Sequence, residues 1–79
     1  MDKAKVIEVI KKHILDNLED INAEDIDPSK AMSDYGANSL DIIEIVSTSM
    51  RELNIKIPRS ELAELKNIDE LADKFVQHM

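Results

Sequence analysis

Tyr35-Gly36-Ala37-Asn38-Ser39-Leu40-Asp41-Ile42-Ile43-Glu44-Ile45-Val46 is the stretch from which the rest of the chain can be read. It passes from the only glycine in the sequence, through a capping residue, into an amphipathic run. Asn38 is well suited to accept a hydrogen bond from the free N–H groups at a helix start. Asp41, three residues on, can return a bond to the cap as Glu or Gln does in a capping box. Leu40, Ile42, Ile43, Ile45, Val46, Met50 and Leu53 then carry a helical pattern to about Leu53, and Asn54 is a stop signal. The beginning of a helix offers unpaired N–H groups and the positive end of its dipole, so Ser39 stands where a phosphate is favoured. Spacing alone favours a plainer reading, in which Ser39 merely helps to cap the helix.

Before this helix, Val6, Ile10, Ile14 and Leu18 recur at four-residue steps, with Ile7, Val9 and Leu15 widening the stripe. This predicts a first amphipathic helix, wetted by Lys3, Lys5, Glu8, Lys11, Lys12 and Asp16, with His13 beside the stripe. From about Glu19 to Asn38 the chain is rich in turn and breaker residues, among them Asp20, Asn22, Asp25, Pro28, Ser33 and Gly36. A loop of that length in a small domain usually has a function. Its Ile21, Ile26, Met32 and Tyr35 predict that it is pinned to the core.

After the central helix, Ile55-Lys56-Ile57-Pro58 reads as an extended linker. Arg59 to Leu65 predicts a short third helix, with Ser60 as its cap and Leu62 and Leu65 facing inward. Asn67-x-x-Glu70 resembles a second capping box, opening a last helix with the stripe Ile68, Leu71, Ala72, Phe75 and Val76. The expected fold is all-α: a four-helix bundle with a long first loop and a short third helix, one domain over residues 1–79.

Bulk properties narrow the function. With 79 residues and no cysteine, the core must come from aliphatic side chains, helped only by the aromatics Tyr35 and Phe75. A formal charge of −7, from 17 acids against 10 bases, argues against nucleic acid and for partners with basic patches. The N-terminal lysines interrupt any apolar run, so no secretory signal or spanning segment is expected, and the chain reads as cytoplasmic. A serine hydrolase needs a positioned base and an oxyanion hole, yet the histidines are only His13 and His78, and no G-x-S-x-G is present. Counting from Asp20, the sixth and twelfth positions are Asp25 and Ala31, so the acidic loop is no EF-hand. No metal site and no catalytic residue is expected.

Gly36-Ala37-Asn38-Ser39-Leu40-Asp41 resembles the Gly-x-Asp-Ser-Leu motif of acyl carrier proteins, and the helix order, long loop and total size resemble that family over nearly the whole chain. The resemblance implies that Ser39 receives 4′-phosphopantetheine from coenzyme A through a phosphopantetheinyl transferase. The carrier then holds acyl groups as thioesters for an acyltransferase, ketosynthase or other acyl-processing enzyme, as a monomer that is not itself an enzyme. Asn38 replaces the commoner Asp, which preserves the cap but removes one negative charge beside the attachment site. In the family the second helix meets partner enzymes, so Leu40, Asp41, Ile43, Glu44 and Met50 are the expected docking residues, with Ile43 also a core candidate.

From Ser39 to Arg59 three acids (Asp41, Glu44, Glu52) face three bases (Arg51, Lys56, Arg59), a balance less acidic than in carriers of primary fatty acid synthesis. A dedicated polyketide-type carrier is therefore expected. Ser47-Thr48-Ser49 interrupts the aliphatic helix, and local back-bonding is the ordinary explanation. An inward Ser49 would leave room for part of an acyl chain. An aminoacyl or peptidyl carrier, and an unmodified helical interaction domain, are the alternative readings.

Overall fold

The computed structural model describes residues 2–62 and 65–79, with Arg59 by its backbone alone. Four helices follow one another: α1 (Lys3–Asn17), α2 (Ser39–Leu53), α3 (Arg59–Leu62) and α4 (Ile68–Gln77). Among the described residues no strand occurs. The all-α bundle expected from the sequence is what forms.

The core is built from the predicted stripes. Val6, Ile10 and Ile14 of α1 meet Ile45, Val46 and Leu53 of α2 and Ile68, Leu71, Ala72 and Phe75 of α4. Burying each large side chain removes apolar surface from water, worth about 1.5–3 kcal/mol apiece. α1 packs against both α2 and α4. Asp2 caps α1 by accepting the Lys5 N–H at 2.9 Å. At the rim, Lys3 reaches Asp69 at 2.8 Å and Asp73 at 2.9 Å, joining the start of α1 to α4.

The long loop is pinned, as its apolar residues predict, but it is also partly regular. It contains two short 3₁₀ turns, Ala23–Asp25 and Met32–Tyr35. Ile26 and Met32 are buried, and the Tyr35 hydroxyl is bonded to the Asp27 backbone. The Asp27 carboxylate accepts the Ser29 hydroxyl at 2.7 Å and the Ser29 N–H at 2.9 Å, which holds its pKa below the ordinary value. The carbonyls of Pro28 and Lys30 accept the N–H groups of Asp69 and Ile68 at 2.8 and 3.1 Å. The loop thus satisfies orphan donors at the start of α4, and this fixes its path.

Four local expectations are corrected. The carbonyl of Pro58 accepts the N–H groups of Glu61 and Leu62, so Pro58 takes the capping position of α3 and Ser60 lies inside the helix. Of the expected extension to Leu65, Ala63 and Glu64 lie outside the described residues. Leu65 itself is not helical, although both Leu62 and Leu65 pack against the core. The second capping box is only half made: Asn67 accepts the Glu70 N–H at 2.7 Å, while the Glu70 carboxylate turns to the Lys66 N–H at 3.3 Å. Val76 is 37% exposed, because Leu71, Ala72 and Phe75 already fill the inner face of α4.

Candidate attachment and docking site

Gly36 ends the second 3₁₀ turn in the left-handed region, with φ of 89°, a conformation that costs other L-residues energy. The turn is closed by the Gly36 N–H on the Ser33 carbonyl at 3.1 Å and the Ala37 N–H on the Met32 carbonyl at 3.4 Å. Ala37 is buried and anchors the chain against the core. Asn38 then swings outward in extended geometry and caps α2.

The predicted reciprocal box is present. Asn38 Oδ1 accepts the Asp41 N–H at 2.8 Å, and Asp41 Oδ2 accepts the Asn38 N–H at 3.1 Å. Ser39 is therefore the first helical residue, not the cap, and it is exposed. Among the described residues its hydroxyl has no hydrogen-bond partner, and neither its N–H nor that of Leu40 has a protein acceptor. The result is a free hydroxyl beside unpaired donors at the positive end of a helix of 15 residues. Asn38→Ala should cost about 0.5–2 kcal/mol of stability in denaturant unfolding, whereas Asn38→Asp should cost little, because Asn and Asp cap about equally well. A larger loss for Asp than for Ala would contradict this account of the cap.

The expected docking residues share the exposed side of α2 but differ in their freedom. Leu40 is 77% exposed and Ile43 45%, so Ile43 is not core. Glu44 is exposed, Met50 is half-buried, and Asp41 is half-buried with one carboxylate oxygen committed to the cap. Beneath Ile43 lies an open cleft of about 610 Å³ between α2, α3 and the loop, lined by Ile42, Ile43, Val46, Met50, Leu62 and Leu65 among others.

Ser49 faces inward and is fully buried, but it does not line this cleft. Its hydroxyl donates to the Ile45 carbonyl at 2.7 Å, and the Thr48 hydroxyl donates to the Glu44 carbonyl at 2.7 Å. Local back-bonding thus accounts for these hydroxyls, and the open cleft lies on another face of α2. The contribution of α3 to the cleft was missed in the sequence. Its signal was Leu62, expected only to face the core; Leu65, beyond the end of α3, lines the same cleft.

Glu52, one of the three acids between Ser39 and Arg59, turns away from the expected docking residues. It turns to α1, where Lys12 Nζ and His13 Nε2 donate to it at 3.0 and 2.9 Å. These two donors, Lys12 first, hold the Glu52 carboxyl below its ordinary value of 4.5. A carboxyl depressed by folding contributes stability that is present above its unfolded pKa and is lost as pH falls through the lower folded value. Glu52→Gln should therefore melt below wild type at neutral pH, and the two should converge as the solution is acidified below about pH 4.5. Melting curves that stay parallel down to acid pH would show that the pairing adds nothing.

Residues 8–75 match the family described as the phosphopantetheine attachment site. The chain is 37% identical over 73 residues to the polyketide biosynthesis acyl-carrier-protein AcpK of Bacillus subtilis (strain 168), covering 92% of this chain and 89% of that protein. It is 30% identical over 67 residues to the acyl carrier protein of Wolinella succinogenes, covering 84% and 87%. A similar solved structure is the acetyl-donor acyl carrier protein in complex with the HMG synthase of the curacin biosynthetic pathway. It superposes with a TM-score of 0.79 at 39% identity over 98% of this chain and 99% of that one. The chain belongs to the phosphopantetheine-binding acyl carrier family. A covalent phosphopantetheine goes with that family, and the start of α2 fits one: an accessible hydroxyl, with donors for a phosphate and, among the described residues, no side-chain partner to displace.

Proposed function

We propose that Ser39 is the attachment site and that residues 1–79 work as one monomeric carrier domain of polyketide-type synthesis, in the cytoplasm and without catalysis of their own. The observation that carries this reading is the exposed Ser39 hydroxyl at the first position of α2, relieved of capping duty by Asn38. When bound, the arm supplies the thiol that holds an acyl group as a thioester. The protein's own part is to anchor the phosphate, with the N–H groups of Ser39 and Leu40 as donors, and to present α2 to the enzyme that works on the cargo. Tethering raises the local concentration of that cargo at the docked enzyme.

Leu40, Ile43, Glu44 and Met50 form the proposed docking set, with Asp41 at its edge. The polyketide assignment draws on the AcpK likeness and on the mixed charge of α2. An enzyme partner draws on the complex formed by the curacin carrier.

The test has two stages. Incubation with coenzyme A and a phosphopantetheinyl transferase should add the mass of one arm, mapped to Ser39 by peptide analysis. The loaded carrier should then serve at least one of a ketosynthase, an acyltransferase and an HMG synthase. Absence of any mass shift after trials with several transferases would favour an unmodified interaction domain. Loading by an amino-acid-activating enzyme, with no service to the acyl panel, would favour the aminoacyl alternative.

A further inference from the structure

The exposed row of α2 changes sign along its length. Leu40, Glu44, Ser47 and Arg51 follow at steps of four, three and four residues, which places them on one face. Glu44 lies near Ser39, whereas Arg51 lies in the last turn. Twelve residues of helix separate Ser39 from Arg51, roughly 18 Å at 1.5 Å per residue. Beyond the helix, Asn54 turns the chain through the left-handed region and brings in Lys56, which is exposed like Arg51.

Between these two cations lies a second, shallower recess lined by Ser47, Met50, Arg51, Asn54, Ile55 and Lys56. Its apolar wall is Met50 and Ile55, both half-buried, and its rim is cationic. Glu52, next to Arg51 in the chain, is drawn to α1 by Lys12 and His13, and among the described residues no acid lines the recess. Lys3, Lys12 and Lys74 are paired with carboxylates of the bundle, while Arg51 and Lys56, like Lys5, Lys11, Lys30 and Lys66, make no ion pair among the described residues. In a chain of net charge −7, the far end of the exposed α2 row therefore carries the opposite sign from the chain as a whole.

We propose that this recess is a second docking point, and that its occupant is an apolar side chain flanked by carboxylates on the surface of the acyl-processing enzyme. The inference rests on the reading above that α2 is the face shown to such enzymes. With an acid near Ser39 and bases at the far end, only one orientation of the carrier satisfies both charges. The recess thus sets the direction of α2 on the partner, and so where the arm enters. Charges at the edge of an interface act on encounter and orientation more than on the chemical step.

The test uses the fully loaded holo carrier and whichever enzyme of the panel the wild type serves best. R51E/K56E should raise KM about tenfold or more at low salt and leave kcat within about twofold, with the difference shrinking as salt is added. R51K/K56R should behave as wild type. Because Arg51 lies in the last helical turn, K56E alone, which lies outside the helix, provides a variant free of any effect on the helix end. It should show a smaller KM increase in the same direction, and circular dichroism should show all variants folded. An unchanged or lower KM for R51E/K56E, a loss that salt does not relieve, or an equal loss in R51K/K56R would overturn the proposal. A carrier that takes no arm, or that once loaded serves no enzyme of the panel, overturns the functional reading instead and takes this one with it.

Discussion

Ser39→Ala is expected to reduce uptake of the arm from complete to undetectable, and with it all acyl loading, while the protein stays folded. The two halves of this expectation have separate physical grounds. Loss of loading follows from the proposed attachment at Ser39, because its hydroxyl oxygen would form the phosphodiester, and alanine has none. Retention of the fold follows because Ser39 is exposed, is not the cap and has no side-chain hydrogen bond among the described residues. Surface substitutions of that kind usually stay within about 0.5 kcal/mol. Intact-mass measurement after treatment with coenzyme A and transferase reads the first half, and thermal melting reads the second. A mass shift of one arm in the alanine variant would move the attachment to another hydroxyl and sink the assignment. A variant that fails to melt cooperatively would mean that the serine has a structural role which its geometry does not reveal.

Phe75→Ala should have the largest effect on stability. Phe75 is 0% exposed and is the only phenylalanine of the chain, on the inner face of α4 within the shared apolar core. Removing a buried phenyl ring typically costs about 3–5 kcal/mol, because lost burial and the residual cavity add. Small domains have only about 5–15 kcal/mol in total, and one of this length lies towards the thin end. At about 4–8 °C per kcal/mol, the melting temperature should fall by roughly 12–40 °C. Val76→Ala, one residue along, is the control: the side chain is 37% exposed and its truncation should cost far less. Equal effects at the two positions would mean that α4 is rotated from the orientation described.

Legibility in the sequence followed the range of the interactions involved. The central helix was readable almost to the residue, because its signals are local. Asn38 and Asp41 sit three apart and bond each other, and Asn54 ends the helix in the left-handed conformation its short polar side chain tolerates. The same holds for the position of Ser39. Where a competing local partner was available, the reading slipped. Pro58 displaced Ser60 at the start of α3, and the Lys66 N–H drew off the carboxylate of Glu70. Both outcomes turn on backbone direction at a helix entry, which composition does not encode.

From sequence alone came the number and order of helices, the apolar stripes, the pinned loop and the serine at the helix mouth. These follow from periodicity and capping, which act over a few residues. Tertiary structure alone decided that Ile43 is surface, that Val76 is not core, that Ser49 is buried away from the cleft, and that Glu52 pairs with Lys12 and His13 of α1. Each depends on which neighbour arrives from a distant part of the chain, and packing geometry, not local pattern, determines that.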